Sequence, residues 1–175
     1  MPTLIQAMFE RLRADKNLVL LLDGGTGEEL FRRGVPDDRA IWSATALVNP
    51  EYHPILIQVH ESFINAGSRA ITTNSYGTTP GVGFGMDEIQ TLVAMAGKLA
   101  RESLGDRNHV VVLGSLGPLV ESYRPDKIME HRKGVEQYRQ MKDALVPFID
   151  AVLAETMSSF EESSQAIEAI GEDVP

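Results

Sequence analysis

Apolar positions along this chain recur at two spacings, and the two alternate from one end to the other. Leu4, Ile5, Met8, Phe9 and Leu12 share one face of a leading helix. The uninterrupted run Leu18 to Leu22, ending on Asp23, is the pattern of a strand buried on both faces over about 18–23. Ile55, Leu56, Val59 and Phe63 mark a helix that stops near Ala66-Gly67, and 69–74 reads as a short second strand rich in β-branched residues. Ile89, Leu92, Val93, Ala96, Leu99 and Ala100 predict another helix, with a third strand at 109–114. A polar helix is expected from about Asp126 to Leu145, and a fourth strand over 148–155. Ser159 and Glu162 have capping-box spacing ahead of a last helix carrying Phe160, Ala166, Ile167 and Ile170. Residues 172–175 read as the approach to a further strand.

Strand and helix thus follow each other in four units at intervals of roughly 40–50 residues, which predicts an α/β fold with a parallel sheet and right-handed crossovers. Such folds bind ligands at the carboxyl ends of their strands, which singles out Asp23. The competing role for Asp23 is to cap the following helix. Strand two ends in Thr73-Asn74-Ser75-Tyr76, strand three in Gly114-Ser115, and strand four in Glu155-Thr156. If the strands are neighbours in a barrel, Asp23, Asn74, Tyr76 and Glu155 converge over one mouth. Two carboxylates among hydroxyls suit a substrate ammonium group, although acid–base work or helix capping would use the same residues.

Composition narrows the field. The chain has 175 residues, 16 basic against 25 acidic, a net charge of −9 and no cysteine. An acidic balance argues against nucleic acid as partner, no run is long enough to span a membrane, and the amino terminus has no signal-peptide core, so a cytoplasmic protein is expected. Without cysteine, thiolate metal sites and cysteine nucleophiles are excluded within this chain. Gly24-Gly25-Thr26-Gly27 fails the dinucleotide fingerprint, since Glu28 and Glu29 occupy the positions beside a pyrophosphate. Gly81, Gly83 and Gly85 read as a flexible loop. His53 and His60 cannot both reach one metal from their helix, and with His109 and His131 they are assigned structural or solvent-facing roles. Trp42 lies in the long connection after Asp23, either packing or lining a pocket.

Six segments in order resemble the amino-terminal half of the homocysteine S-methyltransferase family. They are Asp23 to Leu30 with Arg33-Gly34, Ile41-Trp-Ser-Ala44, Ala66-Gly-Ser68, Thr72 to Tyr76, Gly114 to Pro118, and Glu155-Thr156. The resemblance implies that residues 1–175 are the first four units of a TIM-type (β/α)8 barrel, a truncated half-barrel, since a complete barrel takes about 250 residues. It implies methyl transfer to homocysteine, giving methionine, from S-methylmethionine, S-adenosylmethionine or betaine. By the same resemblance, Asp23 and Glu155 hold the amino group of homocysteine, Tyr76 lines the pocket near its sulfur and Trp42 the donor side. With Gly24 and Asn74, these are the candidate substrate-binding residues.

The family's zinc, which activates the sulfur, is held by three cysteines that this chain lacks. The expectation is therefore a fragment with no metal ligands or catalytic residues of its own, inactive alone. The alternative is a non-catalytic half-barrel that self-associates through open barrel edges or pairs with a separate carboxyl-terminal half.

Overall fold

A computed structural model describes residues 3–172 and Val174. The expected further strand at 172–175 falls partly on Asp173 and Pro175, which lie outside the described residues. Helix α1 (Leu4–Ala14) opens the chain, capped by Thr3, whose hydroxyl accepts from Gln6 N while the Gln6 side chain accepts from Thr3 N. There follow α2 (Thr26–Arg32), α3 (Thr45–Val48), α4 (His53–Asn65), β1 (Ala70–Thr72) and α5 (Met86–Ser103). The rest comprises β2 (Val111–Leu116), α6 (His131–Leu145), β3 (Ala151–Ala154) and α7 (Phe160–Ile170). The sheet is parallel, in the order β1-β2-β3, as the alternation predicts.

The expected first strand is reduced to one parallel bridge, Leu22 against Ala70, flanked by Arg69 N donating to Leu21 O and Asp23 N to Ala70 O. Nor is it buried on both faces: Val19 is 81% exposed and Leu21 50%. The segment lies at the open edge of the sheet, so its apolar side chains have a neighbour on one side only. The third strand is shifted toward 116, and the fourth is trimmed because Pro147 sits in a 3-10 turn over Val146–Phe148. The polar helix begins at His131, not Asp126, where the Glu130 carboxylate accepts from Arg132 N and Lys133 N. Ser159 caps α7 as expected, but Glu162 turns back to Ser158 N rather than completing the box on Ser159.

Side chains alternate across each strand, and the alternation decides what the two sheet faces do. Ile71 and Val112 point outward and pack with Ile64 of α4 and Ala100 of α5. Leu116 faces the same way, into a core with Ile89 and Val93 of α5, Tyr138 and Met141 of α6, and Ala166 of α7. Ala70, Val111, Leu113 and Ala151 point to the inner face, where Ile5 of α1 covers them. Leu4 and Phe9, expected on the same helix face, stay largely exposed. Continuing the inner parity toward the carboxyl ends brings Thr72, Ser115 and Glu155. One face is thus apolar where α1 plugs it and polar where the strands end.

The glycine-rich stretch after β1, read from sequence as a flexible loop, contains a turn that is held in place at Gly81. Pro80–Val82 forms a 3-10 turn, Gly81 N donates to Leu119 O at 2.8 Å, and a Cβ on Gly81 would run into the backbone of Val120. Only a glycine lets the two chains approach so closely.

Candidate functional site

The polar end of the inner face opens into a cleft of about 750 Å³. All six candidates, Asp23, Gly24, Trp42, Asn74, Tyr76 and Glu155, line it.

Asp23 does not cap the next helix. The N-cap of α2 is Gly25, with no side-chain cap, and the first-turn carboxylates are Glu28 and Glu29. The Asp23 carboxylate instead accepts from Thr72 N at 2.6 Å and from the Thr72 hydroxyl at 2.9 Å, which fixes both oxygens over the end of β1. Burial pushes its pKa up, the nearby Glu155 adds to the rise, and the bonds from Thr72 oppose it. Gly24 lies close against Phe63, where a Cβ would stand 2.9 Å from the ring.

Glu155 is placed by a chain of hydroxyls in which every donor is assignable. Ser115 N donates to Thr73 Oγ1 at 2.9 Å, and Ser75 donates to Ser115 O at 2.8 Å. The remaining Thr73–Ser75 bond at 2.8 Å therefore runs from Thr73 to Ser75. That leaves the Ser115 hydroxyl free to donate to Glu155 Oε1, at 2.5 Å. Thr73, Ser75 and Ser115 are buried, so the network is rigid and sets one carboxylate oxygen.

Asn74 is buried, and its amide donates to Ser43 O at 2.8 Å. Its polar group ties the Trp42–Ala44 turn to the end of β1 rather than facing the cleft freely. Tyr76 meets Ser122 through its hydroxyl at 2.7 Å and lies against Gly117, where a Cβ would stand 2.7 Å from the ring. Trp42 is 58% exposed, so it lines the cleft rather than packing in the core. Its indole N–H donates to Arg39 O.

Three residues outside the six sequence candidates contribute. Thr72 holds Asp23, while Thr156 and Tyr123 border the cleft. Among the described residues, Trp42 (φ 51°), Tyr123 (φ 62°) and Thr156 (φ 57°) are the non-glycine residues with left-handed backbone, and all three line this cleft. Such conformations cost on the order of 1–3 kcal/mol each and gather at functional sites. No sequence signal marks them, since none is glycine or asparagine.

The described residues do not fit a metal. No cysteine is present, and no three His, Asp or Glu side chains among them are arranged to hold one. The histidines are elsewhere: His53 bonds Leu47 O, His60 is buried in α4, and His131 lies between Glu161 and Glu168. No helix among the described residues is long and apolar enough to cross a membrane.

Carboxylates and hydroxyls gathered at the carboxyl ends of parallel β/α units define a ligand-binding barrel segment. A family model of homocysteine S-methyltransferases matches residues 20–175, and the chain belongs to that family. It is 33% identical to a homocysteine S-methyltransferase of Escherichia coli, covering 93% of this chain and 56% of that protein. It is 26% identical to homocysteine S-methyltransferase 1 of Saccharomyces cerevisiae, over 89% and 54%. The crystal structure of the homocysteine methyltransferase MmuM from E. coli in metallated form superposes with a TM-score of 0.76 at 27% identity, covering 93% of this chain and 60% of that one. The chain therefore spans little more than half the length of these relatives.

Proposed function

We propose that the cleft binds homocysteine, with Asp23 and Glu155 gripping its ammonium group. The observation that carries the reading is the pair of carboxylates, each oriented by a hydroxyl, Thr72 for Asp23 and Ser115 for Glu155, and neither paired with a basic side chain. An ammonium would supply the missing countercharge and donors, and charge-assisted bonds of this kind are short and directional. Burial penalises the Asp23 carboxylate in the empty cleft, so a cationic ligand relieves a cost that water does not. In this orientation Tyr76 stands beside the thiol and Trp42 over the approach of a methyl donor, for which S-methylmethionine, S-adenosylmethionine and betaine are the candidates.

This chain's part in methyl transfer is binding and orientation. With no cysteine in the chain and no cluster of metal-ligating side chains among the described residues, these residues hold and orient the substrate and do not supply a zinc site. Calorimetric titration with homocysteine tests the reading. Asp23→Asn and Glu155→Gln should each weaken binding about tenfold or more, the scale of a hydrogen bond to a charged group. Unchanged affinity in both variants would overturn it.

A second reading is favoured by the apolar edge at 18–22: a non-catalytic half-barrel that covers this edge with another copy or a complementary chain. It is compatible with ligand binding and is tested separately by the state of association.

A further inference from the structure

At the opposite end of the sheet from the cleft, the amino ends of the strands border a second cavity, of about 320 Å³. One wall is α1, through Met8 and Leu12, and the other is the apolar 18–20 segment that runs beside β1. Leu18 and Val19 are 37% and 81% exposed there, so this wall has no cover of its own. Three basic side chains border the cavity: Arg11 from α1, Arg69 immediately before β1, and His109 shortly before β2. The pairing of Ala70 with Val111 sets the last two on neighbouring strands.

The chain carries 25 acidic residues against 16 basic ones, yet no acidic side chain lines this cavity. Its guanidinium groups are not neutralised from elsewhere either. Among the described residues, the arginines in ion pairs are Arg32, Arg33, Arg39, Arg101, Arg124 and Arg139, and neither Arg11 nor Arg69. Arg69 is nonetheless fixed in place, because its Nη1 donates to Gly67 O at 3.0 Å and to Ser68 O at 3.1 Å. Those bonds leave Nε and Nη2 to meet a ligand, and a guanidinium fork matches a carboxylate. A cavity with apolar walls and a positive rim selects a molecule with an aliphatic body and an anionic head.

We propose that this cavity is a second binding site, taking a free medium-chain aliphatic carboxylate. Its chain lies between α1 and the 18–20 segment, and its head meets Arg11 and Arg69. The inference is independent of what the cleft at the carboxyl ends of the strands binds.

The test is an NMR titration of the full chain with octanoate, at a protein concentration where sedimentation shows monomer. The controls are 1-octanol and octylammonium, which keep the aliphatic body and change the head. Octanoate should bind about tenfold tighter than octanol or more, and octylammonium more weakly than either. The shifted amides should cluster in 8–20 and around Arg69 and His109, away from Asp23 and Glu155. Arg11→Gln should weaken octanoate about fivefold, the scale of an exposed ion pair, and thermal melting verifies that it is folded. Val19→Lys and Val19→Glu lose the same apolar contact at an exposed position, so the difference between them reads charge alone. Octanoate should favour the lysine variant about fivefold. The proposal fails if octanol binds as well as octanoate, if the shifts fall in the cleft, or if Arg11→Gln changes nothing. It fails equally if the two Val19 variants bind octanoate alike, or if octanoate does not bind and only a second copy of the chain covers these residues.

Discussion

At the scale of single residues, Asp23 couples binding to pH. Its raised pKa means that the folded protein takes up a proton there at higher pH than an ordinary carboxylate does. The empty fold gains stability from that protonation below the folded pKa and loses it as pH rises through it. Ammonium capture needs the ionised form and so runs the opposite way. Homocysteine affinity should fall as pH drops through the raised pKa, and the step should vanish in Asp23→Asn; affinity that holds flat into the acid range would contradict the role given to Asp23. Tyr76 is set by packing rather than charge. Gly117→Ala drives a methyl group into its ring, which should cost about 1–3 kcal/mol of stability and weaken binding, read by denaturant unfolding and calorimetry together. What the sequence makes legible here are residues ending apolar runs, Asp23 and Glu155 above all. Thr72 stays hidden because its role depends on the register of a strand pair, and Tyr123 because a left-handed tyrosine looks like any other in sequence.

At the scale of elements, two histidines give pH dependences of opposite sign. His60 of α4 is buried with neither ring nitrogen hydrogen-bonded in the structure, and burial pushes its pKa down to about 4. Between that value and its ordinary 6.5 the unfolded chain binds more protons, so stability rises with pH across this window. The loss on acidification to pH 4 is on the order of 3 kcal/mol, and His60→Phe should flatten it in urea unfolding measured across the window. His131 starts α6 and reaches α7, with Nδ1 at 2.7 Å from Glu161 and Nε2 at 3.0 Å from Glu168. Glu130 and Arg132 flank it on its own helix. Two acceptors favour the doubly protonated ring, so its pKa is raised. Its support for the α6–α7 contact is complete below the unfolded pKa and lost as pH rises through the folded value. The pair is exposed, so the effect is small; His131→Gln should remove it, and a melting profile identical in slope would count against the latch. Helix faces are readable from the sequence in α4 and α5, where the 3.6-residue repeat survives, but not in α7, where Phe160 and Ile167 are exposed and Glu162 and Gln165 are buried beside Ala166. The strand at 18–23 was misread because burial on two faces needs neighbours on both sides, which no local pattern reports.

At the scale of the whole molecule, the sheet is open beside the 18–22 segment, and Val19, Leu21 and Leu22 stand in solvent there. Sedimentation should show association that grows with concentration, reduced by Val19→Lys with Leu21→Lys. A strictly monomeric parent would contradict an interacting edge. The parallel order of the sheet followed from the alternation of helix and strand alone. That α1 plugs the inner face, and so confines the polar cleft to the strand ends, emerged only from the packing of Ile5. The same view limits the chemistry: with no cysteine, and no ligand cluster among the described residues, the chain supplied with zinc, homocysteine and S-methylmethionine should form no methionine. Turnover by the pure protein would refute that division of labour.

The role proposed for this cleft is capture of an ammonium group by Asp23 and Glu155. Its most direct test is calorimetry with homocysteine against 4-mercaptobutyrate, which keeps the thiol and carboxylate but has no amine. Homocysteine should bind about tenfold tighter or more. Equal affinity for the two would show that the paired carboxylates do not hold the ligand.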